Sequence, residues 1–311
     1  MFSPPNWKRS KIKGSLNEIY QEEVHFRPDK SPSSWQIAPA ERIVVKKALS
    51  PFKGVVALTK EQVANGGAVK PSASEQGTNE VARLLLENRE GTADWGEISH
   101  LQGVPCPKKV ANEFVLCCLL DYQIPTNTAW DNGHRLVRDI LHDPDDIWHA
   151  ITSFSESAWA TKWSEYRLHR FPAGHKRLWR IGKEICARYG GDARNIWEGR
   201  DSRGILERLE ALGAGEQISR MIVGALRDLG RVKGASDVKA DSHVCRALGR
   251  AITGTEASPS KGAELARQLC PSDPWQLDWP LWTLAKDHCF RTAPDCSGCY
   301  LRRHCVYAGR H

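Results

Sequence analysis

Cys289-Phe-Arg-Thr-Ala-Pro-Asp-Cys296-Ser-Gly-Cys299-Tyr-Leu-Arg-Arg-His-Cys305 places four thiols within 17 residues, at the spacing Cys-x6-Cys-x2-Cys-x5-Cys. The other cysteines of the chain are scattered singly or stand as the pair Cys117-Cys118. Free thiols are ordinarily buried one at a time as small apolar groups, so a cluster of four on one short loop needs a separate reason. Four thiolates this close can close around one centre, and all-cysteine ligation suits a [4Fe–4S] cluster or a tetrahedral zinc. Structural zinc usually sits between two close cysteine pairs. Here Cys296 and Cys299 form one such pair, and the long first gap makes a loop carrying Arg291. That spacing favours iron–sulfur over zinc.

Composition agrees with an intracellular metalloprotein. The chain has 311 residues, is 41% hydrophobic and carries a formal charge of +7, enough length for one large or two medium domains. Its C-terminal end is basic: Lys286, Arg291, Arg302, Arg303 and Arg310 stand against Asp287 and Asp295. A modest basic bias leans towards a polyanionic partner, although solvated charge is its commoner cause. No apolar run approaches the 18 residues of a membrane span, and the first residues lack the apolar core of a secretory signal. Cysteines at metal spacing in a chain this long point to a reducing compartment rather than a disulfide framework. The cytoplasm, in association with the nucleoid, is the expected location.

Upstream of the thiols the pattern is helical. Val110 to Leu120 is apolar nearly all round, which predicts a helix at the centre of a domain. Pro125 stops it, leaving Asp121, Tyr122 and Gln123 at its mouth. Helical patterns recur at 130–141, 145–152 and 175–189, the last ended by Gly190-Gly191. Two amphipathic helices then stand back to back, one marked by Ile205, Leu206, Leu209 and Leu212. The other is marked by Ile218, Met221, Ile222, Ala225, Leu226 and Leu229. Between them lies Gly213-Ala214-Gly215, so the pair reads as an αα corner. Its exposed N–H groups at a helix start can hold an anion, because glycine lets backbone approach a phosphate closely. A plain helical hairpin is the simpler reading of these residues alone. Asp241 or Ser242 supplies the N-cap of the next helix, Ser258-Pro259 opens another, and a segment with Trp275, Trp279 and Trp282 leads into Cys289. No strand pattern of useful length follows residue 90, so the body is expected to be all-α. Residues 1–90 form an extension of irregular structure and unassigned role, in which Phe52–Leu58 reads as one strand or an extended arm.

Taken in order, these pieces resemble the helix-hairpin-helix DNA glycosylases of the iron–sulfur, endonuclease III-like branch. Three segments carry the resemblance: Leu212-Gly213-Ala214-Gly215 as hairpin, Ala240-Asp241-Ser242-His243-Val244-Cys245-Arg246 as the aspartate motif, and the four-cysteine loop. It spans roughly residues 105–308. The family implies two helical lobes. One is a barrel of helices, 123–230, ending in the hairpin; the other joins 91–122 to 231–311 and holds the cluster on Cys289, Cys296, Cys299 and Cys305. It further implies a monomer acting on double-stranded DNA. Hairpin N–H groups together with Arg220, Arg291, Arg302 and Arg303 would hold phosphates without reading sequence. Gln123 would fill the space left by an extruded nucleotide, with Tyr122 beside it as a wedge.

The same resemblance assigns the chemistry. Asp241 would steady the positive charge that grows on deoxyribose as the base leaves, and would orient or deprotonate the attacking water. Its alternative is a pure N-cap, and the two roles are compatible. Bifunctional members carry a lysine at the start of the hairpin's second helix, whose amine attacks the sugar. Matching the glycines puts Gln217 there, and an amide cannot do this. The expectation is a monofunctional glycosylase that removes a damaged, mispaired or modified base, pyrimidines somewhat favoured. An idle DNA-binding protein of the same fold remains an alternative, as does a lyase using Lys233 or Lys239.

Overall fold

A computed structural model describes residues 73–89, 91, 93–101 and 103–310. The 52–58 segment read as strand or arm lies outside the described residues. Within them every regular element is helical and there is no strand. The helices are α1 (Ala73–Glu87), α2 (Lys108–Leu120), α3 (Thr126–Arg135), α4 (Ile147–Ser153), α5 (Glu156–Glu165) and α6 (Gly174–Tyr189). They continue as α7 (Arg194–Trp197), α8 (Ser202–Leu212), α9 (Glu216–Asp228), α10 (Ser242–Thr253), α11 (Pro259–Leu269) and α12 (Asp278–Asp287). Ends follow local chemistry. Gly190 closes α6 in the left-handed conformation, while Asp201, Asp241 and Ser258 cap α8, α10 and α11 with their side chains, as short oxygen-bearing residues do.

Two apolar cores form. The first gathers the buried faces of α2 to α9, with Trp148, Trp159 and Trp163 fully buried in it. The second joins Val81 and Leu85 of α1 to α10, α11 and α12. This division differs from the expected lobes in two places. Segment 91–122, expected beside the cluster, contributes Trp95, Ile98, Phe114, Leu116 and Leu120 to the first core. A helix buried on all sides belongs wherever most partners surround it, and here those partners are the barrel helices. Part of the expected irregular extension is instead α1, seated on the second core.

The segment between α11 and α12 reaches into the first core, where its Trp275 packs on α9. Gly224 lies against Trp275, whose indole occupies the space of the missing side chain; a Cβ there would sit 2.2 Å from the ring. Arg227 forks onto Asp273 with bonds of 2.6 and 2.5 Å. Such a bidentate, largely buried pair is specific in geometry as well as in charge.

Candidate active site

The hairpin is built as its glycines require. Gly213 caps α8 at φ 85° and Gly215 enters α9 at φ 80°, a region costly for residues with a Cβ. Gly213 N–H donates to the Glu210 carbonyl and Ala214 N–H to that of Leu209. Those two donors are spent, and the side chains of Leu212 and Ala214 are buried, so neither of these residues presents a side chain to a ligand. The donors left for an anion are the N–H groups at the start of α9, Gly215 to Gln217, which have no acceptor among the described residues. Arg177 of α6 holds the bend from below, donating to the carbonyls of Gly213 (3.3 Å) and Ala214.

Arg177 also lies over the ring of Tyr122, 5.0 Å from its centroid. Tyr122 stacks on His169 at 4.0 Å, and Phe171 continues the stack. A tyrosine clamped this way supports the mouth of α2 and is not available as a wedge. Gln123, by contrast, is exposed, stands at φ 51° and accepts a 3.3 Å bond from Arg170. Arginine 220 departs from expectation. Only 8% exposed, its guanidinium pairs with Glu216 at 2.6 Å and Asp237 at 3.4 Å. Its charge is neutralised inside the protein and cannot serve a phosphate. Arg291, Arg302 and Arg303 do lie on the surface, Arg291 with a loose 3.5 Å contact to Glu256.

Asp241 caps α10. One carboxylate oxygen accepts from His243 N–H at 2.8 Å and Val244 N–H at 3.0 Å; the other accepts no hydrogen bond among the described residues. The loop before it is tightly pinned. Lys239 N–H donates to Asp278 at 2.6 Å, and Asp241 N–H donates back to the Lys239 carbonyl at 2.6 Å. The Lys239 ammonium crosses to the first core, 3.1 Å from Met221 Sδ and 3.6 Å from a carboxylate oxygen of buried Asp121. Met221 lies one turn beyond Gln217 on α9, so this side chain ties the aspartate loop to the helix that the hairpin begins. Gln217 is half-buried, and its amide oxygen has no partner among the described residues.

His243 has a fixed tautomer. Arg246, almost wholly buried, donates to the carbonyls of Cys289, Ser242 and Ala285 and stands 3.1 Å from His243 Nδ1. A guanidinium only donates, so Nδ1 accepts and the neutral ring carries its proton on Nε2. Burial pushes this histidine down, and the nearby Arg246, Lys286 and Lys239 charges act the same way against the pull of Asp241. Burial and the Asp241 charge hold the Asp278 carboxyl well above the usual carboxylate range. Two of the residues that place these segments, Arg177 at the bend and Asp278 at the aspartate loop, were not singled out in the sequence because each acts on groups distant in the chain.

The four thiols of the C-terminal loop line one small pocket of about 20 Å³ together with Ala247, Arg250, Leu284, Pro294 and Leu301. Arg250 binds the loop, donating to the carbonyls of Phe290 (2.6 Å) and Arg291 (2.9 Å) and approaching Cys289 Sγ at 3.6 Å. Burial pushes the Cys299 thiol up to about 11, and the neighbouring thiols add to the shift. Among the described residues no three His, Cys, Asp or Glu side chains converge closely enough to hold a single metal ion.

No protein-family model matches the sequence, and no curated protein does. Solved structures match in shape. A thermostable thymine-DNA glycosylase superposes with a TM-score of 0.52 at 14% identity, over 77% of this chain and 100% of that one. An endonuclease III trapped as a covalent intermediate on DNA gives 0.50 at 14% identity, over 81% and 98%. A non-covalent endonuclease III–DNA complex gives 0.54 at 14% identity, over 76% and 97%. The chain therefore has the all-helical fold of the endonuclease III-like helix-hairpin-helix glycosylases.

Proposed function

We propose that the protein is a monofunctional DNA glycosylase of base excision, hydrolysing the N-glycosidic bond of a nucleotide extruded from the duplex. The observation that carries this reading is the Asp241 carboxylate. One oxygen is fixed by two backbone N–H groups, the other is open, and the loop is tied through Lys239 to the helix of the glycine bend. A carboxylate so held steadies positive charge on a sugar without reorganising, and its open oxygen can take a proton from the attacking water. The N–H groups of Gly215 to Gln217, with Arg291, Arg302 and Arg303, would hold the DNA backbone. Gln123 would fill the vacated space in the stack. The neighbours in shape, two of them bound to DNA, support DNA as the partner.

Strand cleavage by an amine is not part of this reading. Gln217 occupies the first turn of α9, and the nearby amine of Lys239 is turned towards the Asp121 carboxylate. Cys289, Cys296, Cys299 and Cys305 would hold a [4Fe–4S] cluster. They surround a shared cavity instead of converging on a point, and the Arg250 cation beside them suits an electron-rich group. When bound, that group would order the loop bearing Arg291 and would supply no step of the hydrolysis. The deciding experiment is release of free base from duplexes carrying damaged, mispaired or modified bases, with wild type and Asp241→Asn compared. DNA binding with no base release across the panel would refute the proposal. Borohydride trapping of a covalent protein–DNA species would refute its monofunctional part alone.

A further inference from the structure

The turn that carries Gln123 is held by a second piece of chain, residues 169–171, at three points. The His169 ring bonds to the Tyr122 carbonyl at 2.9 Å. The Phe171 ring lies 6.0 Å from that of Tyr122 and 7° from parallel. Between them the exposed Arg170 donates to the Gln123 side chain at 3.3 Å and rests on the Phe171 ring, 4.7 Å from its centroid. This clamp is itself anchored, since Trp163 Nε1–H donates to the Phe171 carbonyl at 3.2 Å and buried Asn132 donates to that of Leu168 at 2.9 Å. The Tyr122 carbonyl belongs to the peptide plane joining Tyr122 to Gln123, and the setting of that plane about the N–Cα bond of Gln123 is its φ. Gln123 stands at φ 51°, a left-handed conformation that is costly for a residue with a Cβ and persists where its surroundings over-determine it.

Only one form of the imidazole satisfies both of its contacts. Phe171 N–H donates to Nδ1 at 3.2 Å, so the ring proton sits on Nε2 and is given to the Tyr122 carbonyl. A second proton, on Nδ1, would meet the Phe171 N–H head-on. The ring is 7% exposed, and neither nitrogen bonds a carboxylate. The ionisable side chains that meet it are Tyr122 on its face, Arg170 of its own loop and Arg177 of α6, while α5 presents the ring of Trp163. Burial, and after it the two cations, push this histidine below its ordinary value against the pull of the Tyr122 carbonyl.

We propose that His169 is the positioning residue of the Gln123 turn. Its neutral ring, bonded at both nitrogens, holds the backbone of Gln123 in the conformation that exposes the side chain, and Arg170 steadies that side chain from beside it. The inference rests on the part given to Gln123 in the proposed function, filling the place of an extruded nucleotide. A ring kept neutral by the fold contributes fully above its ordinary value of about 6.5 and is lost as the pH falls through the lowered one. Gap filling should fade over the same interval.

The test uses the full-length protein and two duplexes, one fully paired and one with a tetrahydrofuran abasic analogue whose gap Gln123 can enter. The ratio of the two affinities, read by fluorescence anisotropy, cancels general phosphate attraction and isolates gap filling. His169→Phe keeps a stacked ring but neither bond. It should lower the ratio about fivefold, as for one lost hydrogen bond, to the level of Gln123→Ala. His169→Gln restores an N–H donor in place of Nε2 and takes up no proton, so it should keep most of the ratio and hold it constant with pH. In wild type the ratio should fall on acidification with the midpoint of the His169 ring itself, followed by NMR. An unchanged ratio in His169→Phe where Gln123→Ala lowers it, or a wild-type ratio that stays flat while the ring titrates, overturns the proposal. A ratio that Gln123→Ala leaves unchanged overturns it together with the filling role. Base release by the wild type is scored separately on damaged and mispaired duplexes. Its absence, with the ratio behaving as expected, sinks the glycosylase reading and leaves the positioning role standing.

Discussion

Replacing Asp241 by asparagine separates the two roles of this side chain. The capping oxygen that accepts from His243 and Val244 survives as an amide oxygen, and asparagine caps helices about as well as aspartate. Stability should therefore stay within a few tenths of a kcal/mol of wild type. On the proposed reading the negative charge that would face the sugar is lost, and removal of such a positioned group lowers rates by about 10²–10⁴, or about 3–5.5 kcal/mol of barrier. Asp241→Ala supplies the control, since it removes cap and charge together. It should cost an additional ~1 kcal/mol of stability, seen as a fall in Tm of about 2–4 °C for a body of this size. Single-turnover base release and thermal unfolding are measured on all three proteins. The argument fails if the asparagine protein releases base at near wild-type rate. It fails equally if its Tm drops as far as that of the alanine protein, because the lost activity would then report a lost helix start.

Further perturbations reach the groups around this loop. Arg177→Lys cannot fork onto the Gly213 and Ala214 carbonyls, so duplex affinity by fluorescence anisotropy should fall about tenfold, in line with one lost charge-assisted bond. Gly224→Ala forces a Cβ to within 2.2 Å of the Trp275 ring. It should destabilise by about 1–3 kcal/mol or more in urea unfolding, with partial rescue by Trp275→Leu. Asp278→Asn keeps the acceptor for Lys239 N–H but removes a carboxyl whose folded value is raised well above 3.8 by burial and the Asp241 charge. The folded wild type holds this proton more tightly than the unfolded chain, so its stability falls as pH rises from about 4 towards the raised value. The variant should match wild type near pH 4 and exceed it increasingly as the pH rises from there. An advantage independent of pH would refute that assignment.

Features governed by local chemistry were legible in the sequence. Gly213 and Gly215 adopt conformations that only glycine takes easily, and Asp241 caps the residues beside it, so a linear reading finds both. The all-round apolarity of 110–120 announced a buried helix. It did not say which core would surround it, since burial leaves no record of the partner. Arg220 misled for a related reason. Its neighbour Glu216 is near in sequence, but Asp237 reaches it only after the chain folds back, and together they take up its charge. Leu212 and Ala214 belong to the hairpin motif yet point inward, because a tight bend exposes backbone while turning its Cβ atoms to the core. Helix α5 was missed: Trp159 and Trp163 anchor it from one side only, too sparse a period to stand out.

The indole of Trp275 seated in the hollow of Gly224, with Arg227 locked on Asp273 beside it, works as a peg and latch across the seam of the molecule. A body fastened there has little freedom to swing open like a jaw and admit its target. On the proposed reading the compliance must then come from the double helix, which bends and gives up a nucleotide to a nearly rigid mould. Sites already softened by a mismatch or a lesion would yield first, so mechanical weakness of the duplex becomes a part of what is recognised.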